Sequence, residues 1–133
     1  MREILFRGKG THSGKWVEGD LLNRGYDYAT AIRKVSKFGP EVIGVDPETV
    51  GQYTGLTDKN GKKIFEGDIL SERPPMNQTA YIGYVAYDEE LAVWHFMIKN
   101  DTKYNGVLLG SYSRSYKVIG NIHDNPELLE ATK

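Results

Sequence analysis

The chain contains a pattern twice, and that repetition constrains its fold more than any other feature. Residues 6–22 read FRGKGTHSGKWVEGDLL and residues 53–70 read YTGLTDKNGKKIFEGDIL. Both copies run aromatic–x–Gly, then Gly-Lys with its glycine six residues after the first, then Glu-Gly-Asp and two aliphatics. The second copy carries one extra residue between Gly61 and Gly67. The segment ends also correspond: Val42-Ile43-Gly44 precedes Asp46-Pro47-Glu48, and Val118-Ile119-Gly120 precedes Asn125-Pro126-Glu127. Four landmarks in the same order imply a duplication. The expected organisation is two related small antiparallel β modules, residues 1–50 and 51–133, packed as one unit in a mainly β fold.

Local chemistry supports turns and strands at these landmarks. Asn60 and Gly61 tolerate positive φ, so Asp58-Lys59-Asn60-Gly61 reads as a tight turn. His12-Ser13-Gly14 stands where that turn recurs. Gly19 and Gly67 each sit between a glutamate and an aspartate. A positive φ at both is expected, with Asp20 and Asp68 bonding nearby amides as the strand enters the core. Small SH3-like barrels enter strands through such turns.

In the second half, Ala80 to Tyr87 and Leu91 to Ile98 read as a hairpin with an acidic tip, Asp88-Glu89-Glu90. Period two places Trp94, Phe96 and Ile98 on one face and Val93, His95 and Met97 on the other. Residues 107–109 and 116–119 are further strands. Residues 27–38 fit either period, but the repeat aligns them with the Ala80–Tyr87 strand and favours strand. Asn125-Pro126 predicts a short helical turn through Leu129, and Asp46-Pro47 offers the same start in the first half. Trp16, Phe65, Ile69, Trp94, Phe96 and Val118 are expected to be largely buried.

Composition narrows the function classes. The 133 residues hold 17 Lys and Arg against 18 Asp and Glu, a net charge of −1, so no whole-molecule attraction to nucleic acid or anionic lipid exists. The absence of cysteine excludes disulfides, thiol catalysis and Cys-based zinc sites, and fits a reducing cytoplasm. Residues 1–20 hold no long apolar run, so neither a signal peptide nor a membrane span is expected.

The landmarks resemble a known family. Ile4-Leu5-Phe6-Arg7, the block from Glu48 to Leu56, the block from Lys62 to Leu70, and Val118-Ile119-Gly120-Asn121-Ile122-His123-Asp124-Asn125-Pro126-Glu127-Leu128-Leu129 are similar to the YopX family. The resemblance implies a phage or prophage origin and a cytoplasmic location in the bacterial host. It implies no reaction and carries over no catalytic residue.

Candidate sites follow from residue chemistry. His12, His95 and His123 share no metal-ligand spacing, and no metal or cofactor is expected. Glu18, Asp20, Glu66 and Asp68 would form a carboxylate cluster if the repeats faced each other, the arrangement of a hydrolase, but the turns explain each pair. Arg24, Tyr26, Arg33, Lys34 and Lys37, and Tyr112, Arg114, Tyr116 and Lys117, mix cations with aromatics as single-strand binders do. The rival class is docking on a host or phage protein or self-assembly through exposed β edges. The balanced charge favours protein interaction, with nucleic-acid binding the alternative and carboxylate-dependent hydrolysis the least supported.

Overall fold

A computed structural model describes residues 1–22, 30–72, 80–98, 106–107 and 115–130. The chain divides into two compact units, Met1–Tyr53 and Thr54–Lys133. Both are built from antiparallel strands, and the one α-helix among the described residues is four residues long. The fold is mainly β.

In the first unit, β1 (Phe6–Lys9) pairs with β2 (Trp16–Leu22), β2 with β3 (Ala31–Ser36), and β3 with β4 (Gly39–Gly44). The strand reading of residues 27–38 thus holds for 31–36; residues 27–29 lie outside the described residues. A single turn of 3-10 helix, Pro47–Thr49, follows, capped by Asp46 accepting from the Glu48 amide at 3.0 Å. The start of β5 (Gly51–Thr57) pairs with β1. Val17, Ile32 and Val45 form the core of this unit, with Phe6, Ile43 and Val50 against them. These residues fall on one face because strand side chains alternate.

In the second unit, the rest of β5 leads to β6 (Lys63–Phe65). A five-stranded sheet follows in the order β10-β9-β8-β7-β11. Its strands are β7 (Asp68–Glu72), β8 (Tyr81–Asp88), β9 (Val93–Ile98), β10 (Gly106–Val107) and β11 (Tyr116–Asn121). Helix α1 (Glu127–Glu130) comes after them, with the Leu129 amide bonded to the Pro126 carbonyl at 3.1 Å. Ile64, Leu70, Val85, Phe96 and Tyr116 make the core, and Leu56, Tyr81, Trp94, Ile98 and Val118 pack against it. The period-two assignment of Trp94, Phe96 and Ile98 to the core face is correct.

The two copies of the repeat fold differently where the extra residue enters. In the second copy the strand breaks at Glu66-Gly67: β6 ends at Phe65 and β7 begins at Asp68. Gly67 has φ +89°, a left-handed conformation costly for other residues. Asp68 is buried and accepts the Phe65 amide at 2.7 Å across the break. In the first copy β2 runs unbroken through Glu18-Gly19-Asp20.

The expected positive φ at Gly19 is therefore wrong. Gly19 is needed because β3 comes close: a Cβ there would stand 2.2 Å from the Arg33 carbonyl oxygen. Asp20 is exposed in the ladder opposite Arg33 rather than turned into a cap.

Burial corrects three further expectations, those for Trp16, Trp94 and Val118, in part. Phe65, Ile69 and Phe96 are buried, but Trp94 and Val118 are half-buried at the margin of the core. Trp16 neighbours the inward Val17 in sequence, so it lies on the opposite face. There the Arg7 guanidinium carbon stands 4.6 Å and the Lys9 Nζ 5.8 Å from its ring centroid.

Candidate interaction surface

Strand β3 follows β2 only as far as Arg33, which pairs with Asp20. Beyond that point Lys34, Val35 and Ser36 pair only with Glu41, Pro40 and Gly39 of β4 among the described strands. The hairpin therefore projects from its sheet as a two-stranded tip. Its turn is held locally: Ser36 Oγ accepts the Phe38 amide at 3.2 Å and donates to the Gly39 carbonyl at 3.4 Å, and Gly39 takes φ +102°. Inward alternation ends with Ile32, which is fully buried.

The outer surface of the tip is apolar. Val35 is 73%, Phe38 88% and Val42 57% exposed. Arg33 pairs with Val42 and Val35 with Pro40, and cross-strand partners share a face, so these four side chains lie together. Phe38 tops them at the turn. Three cations, Arg33, Lys34 and Lys37, stand on this hairpin with Glu41, and Asp20 of β2 lies opposite Arg33. Lys34 lies 3.8 Å from Glu41, and Lys37 Nζ is 5.1 Å from the Phe38 ring centroid. Pro40 has no N–H to give, so β4 makes a poor template for an added strand. A partner of this tip would meet side chains rather than backbone.

A second tip projects in the other unit. Among the described residues, β7 pairs with β8 only over Tyr81–Tyr84, and β10 pairs with His95 and Phe96 of β9. The turn beyond is built by Asp88, whose Oδ1 accepts the amides of Glu90 at 3.0 Å and Leu91 at 3.2 Å, with Ala92 at φ 55°. Tyr87 and Trp94 meet edge to face at 4.9 Å, and Leu91 is 64% exposed. A shallow groove of about 410 Å³ on this hairpin is lined by Ala86, Tyr87, His95 and Met97 together with Asp88, Glu89 and Glu90. His95 Nε2 stands 3.7 Å from the Asp88 carboxylate.

The sequence-predicted cation and aromatic set is split by this geometry. Arg33, Lys34 and Lys37 share the β3–β4 tip. Lys117 is exposed on β11, but Tyr116 is a correction: it is buried, packed edge to face on Phe96 at 5.4 Å, and its ring is closed to a stacking base. Arg24, Tyr26, Tyr112 and Arg114 lie outside the described residues. Among the described residues no group of three His, Asp or Glu could hold a metal, and no helix is long and apolar enough to cross a membrane. The apolar trio Val35, Phe38 and Val42 escaped the sequence reading. Val35 and Phe38 match helical as well as strand spacing, and nothing local reveals that the β2–β3 ladder ends at Arg33.

The remaining landmark residues hold turns. Asn60 and Gly61 close the turn after β5, where the Gly61 amide donates to the Asp58 carbonyl at 3.0 Å and Gly61 has φ +80°. The Asn121 side chain accepts the amides of His123 at 3.0 Å and Asp124 at 2.9 Å. Asn121 falls in the Val118–Leu129 block, and the YopX protein family model matches residues 5–130. The chain belongs to the YopX protein family. A crystal structure of protein EF1440 from Enterococcus faecalis is similar, with a TM-score of 0.58 and 29% identity, covering 97% of this chain and 99% of that one. No curated protein matches the chain.

Proposed function

We propose that this YopX-family chain is a non-enzymatic phage or prophage accessory protein, working in the bacterial cytoplasm by binding protein through the β3–β4 tip. One observation carries the reading: Val35, Phe38 and Val42 are exposed together on a two-stranded projection. A two-stranded hairpin is marginal in water without an apolar face packed on something. Single exposed apolar residues are ordinary, whereas a grouped patch ringed by charge marks an interaction site. An exposed aromatic, Phe38, grouped with aliphatic residues and nearby cations matches the composition of protein interfaces.

Nucleic-acid binding has weaker support. It needs an aromatic platform along a cationic track, and the burial of Tyr116 removes one such ring from the β11 group.

A photo-reactive residue at position 38 tests the reading in infected or lysogenic cells. The expected result is a discrete protein adduct that survives nuclease and disappears when Val35 and Val42 are changed to serine. Adducts to nucleic acid alone would overturn it.

A further inference from the structure

The two tips of this chain are complementary, which identifies the class of protein the β3–β4 tip would meet. The first tip is a knob: Phe38, 88% exposed, stands at its end with Lys37 beside it, and Arg33 lies at its base opposite Val42. The second tip carries a hole of fitting chemistry. Its shallow groove of about 410 Å³ is lined by Ala86, Tyr87, His95 and Met97 and by three acidic residues, Asp88, Glu89 and Glu90. An aromatic ring entering this groove would bring Lys37 to these carboxylates. Both partners offer apolar surface at the tip, since Leu91 and Tyr87 are exposed as Val35 and Val42 are. Desolvated aromatic anchors supply most of the affinity in such contacts, and opposite charge at the rim sets register and encounter rate.

We propose that the partner is a second copy of this chain, with Phe38 of one copy seated in the β8–β9 groove of the next. This rests on the β3–β4 tip being the binding surface. The contact is heterologous, joining two different patches. Each copy therefore keeps one free knob and one free groove, and association continues into a ring or an open chain. The contact is small, which places it in the weak, reversible class. Opposite charges across it make it weaken with salt.

Sedimentation of the purified full chain over a concentration series, at low and high salt, reads this directly. Association that rises with concentration and falls at least several-fold with salt is expected. Two charge-reversed variants decide the geometry: Arg33→Glu/Lys37→Glu on the knob and Glu89→Lys/Glu90→Lys at the groove. Each alone should remain monomeric, because like charges then face each other. An equimolar mixture should associate again, because each reversed patch meets its reversed complement. Circular dichroism of each variant confirms that it is folded. Monomeric wild-type protein up to about 1 mM, or a mixture that stays monomeric, would overturn the proposal.

The cross-linker at position 38 separates the two readings. An adduct of two copies joined to the peptide containing Glu89–Leu91 supports self-association. Adducts only to a different protein overturn self-association and leave the β3–β4 surface standing. An adduct within one chain overturns it as well. Absence of any protein adduct removes both.

Discussion

The Asp58 carboxylate accepts the backbone amide of Val118 at 2.9 Å, although the two residues are sixty positions apart. Its other oxygen accepts the amides of Asn60 at 2.8 Å and Lys62 at 2.9 Å. One side chain in a tight turn thus fixes both that turn and the entry of β11 (Tyr116–Asn121), and the Lys59 amide adds a bond to the Tyr116 carbonyl at 2.9 Å. Hydrogen bonds to a carboxylate are stronger than neutral ones, and removing the acceptor leaves donors without a partner. Asp58→Ala should destabilise the protein by about 2–4 kcal/mol, measured by urea unfolding. A loss within experimental error of zero would show that water replaces these bonds.

Asp58 also gives the fold a pH dependence. Burial alone would raise its pKa, but the amides of Val118, Lys62 and Asn60, together with the Lys62 charge, outweigh it and hold the carboxyl below its ordinary 3.8. A pKa lower in the folded than in the unfolded chain means the unfolded state binds the proton more readily. The stabilisation is fully present above about pH 4 and is lost as pH falls through the folded-state value. Thermal melts of wild type and Asp58→Asn should converge at acid pH. A gap that stays constant from neutral to acid pH would contradict this.

Gly19 and Gly67 occupy the same place in the repeat but should fail for different reasons. At Gly67 (φ +89°) a Cβ meets nothing closer than 3.6 Å, so Gly67→Val costs backbone strain of about 1–3 kcal/mol. At Gly19 even alanine would collide with the Arg33 carbonyl oxygen at 2.2 Å and push β3 away from β2. Gly19→Ala should therefore destabilise more than Gly67→Ala in the same denaturant series. The reverse order would refute the close-approach account.

Tyr116 separates a core role from a binding role. Its ring packs on Phe96 inside the second unit, so Tyr116→Ala should cost about 3–5 kcal/mol of stability. Equilibrium unfolding measures it. Intact stability with a loss of nucleic-acid retention would restore the binding assignment.

Phe38→Ser should do the opposite. The side chain is 88% exposed and its turn is held by Ser36, so stability should stay within about 0.5 kcal/mol of wild type while association is lost. A large drop in the midpoint of unfolding would mean that Phe38 is covered within its own molecule.

What the sequence determined by itself is the local chemistry. Gly61 and Gly67 announced left-handed turns, Asp46-Pro47 and Asn125-Pro126 announced helical starts, and the alternation around Phe96 announced the core face of β9 (Val93–Ile98). These depend on neighbours a few residues away. Tertiary structure decided the rest. Glu-Gly-Asp is identical in both copies, yet it is a straight strand around Gly19 and a break at Gly67. The spacing of the flanking elements, not the motif, selects between a close strand neighbour and a turn. Tyr116 and Phe38 are both aromatics near basic residues, and only the packing of sheets makes one a core residue and the other a surface knob. Exposure is set by where strand pairing ends: the ladder between β2 (Trp16–Leu22) and β3 ends at Asp20–Arg33 while β2 runs on along β1, and no local pattern around Phe38 encodes that.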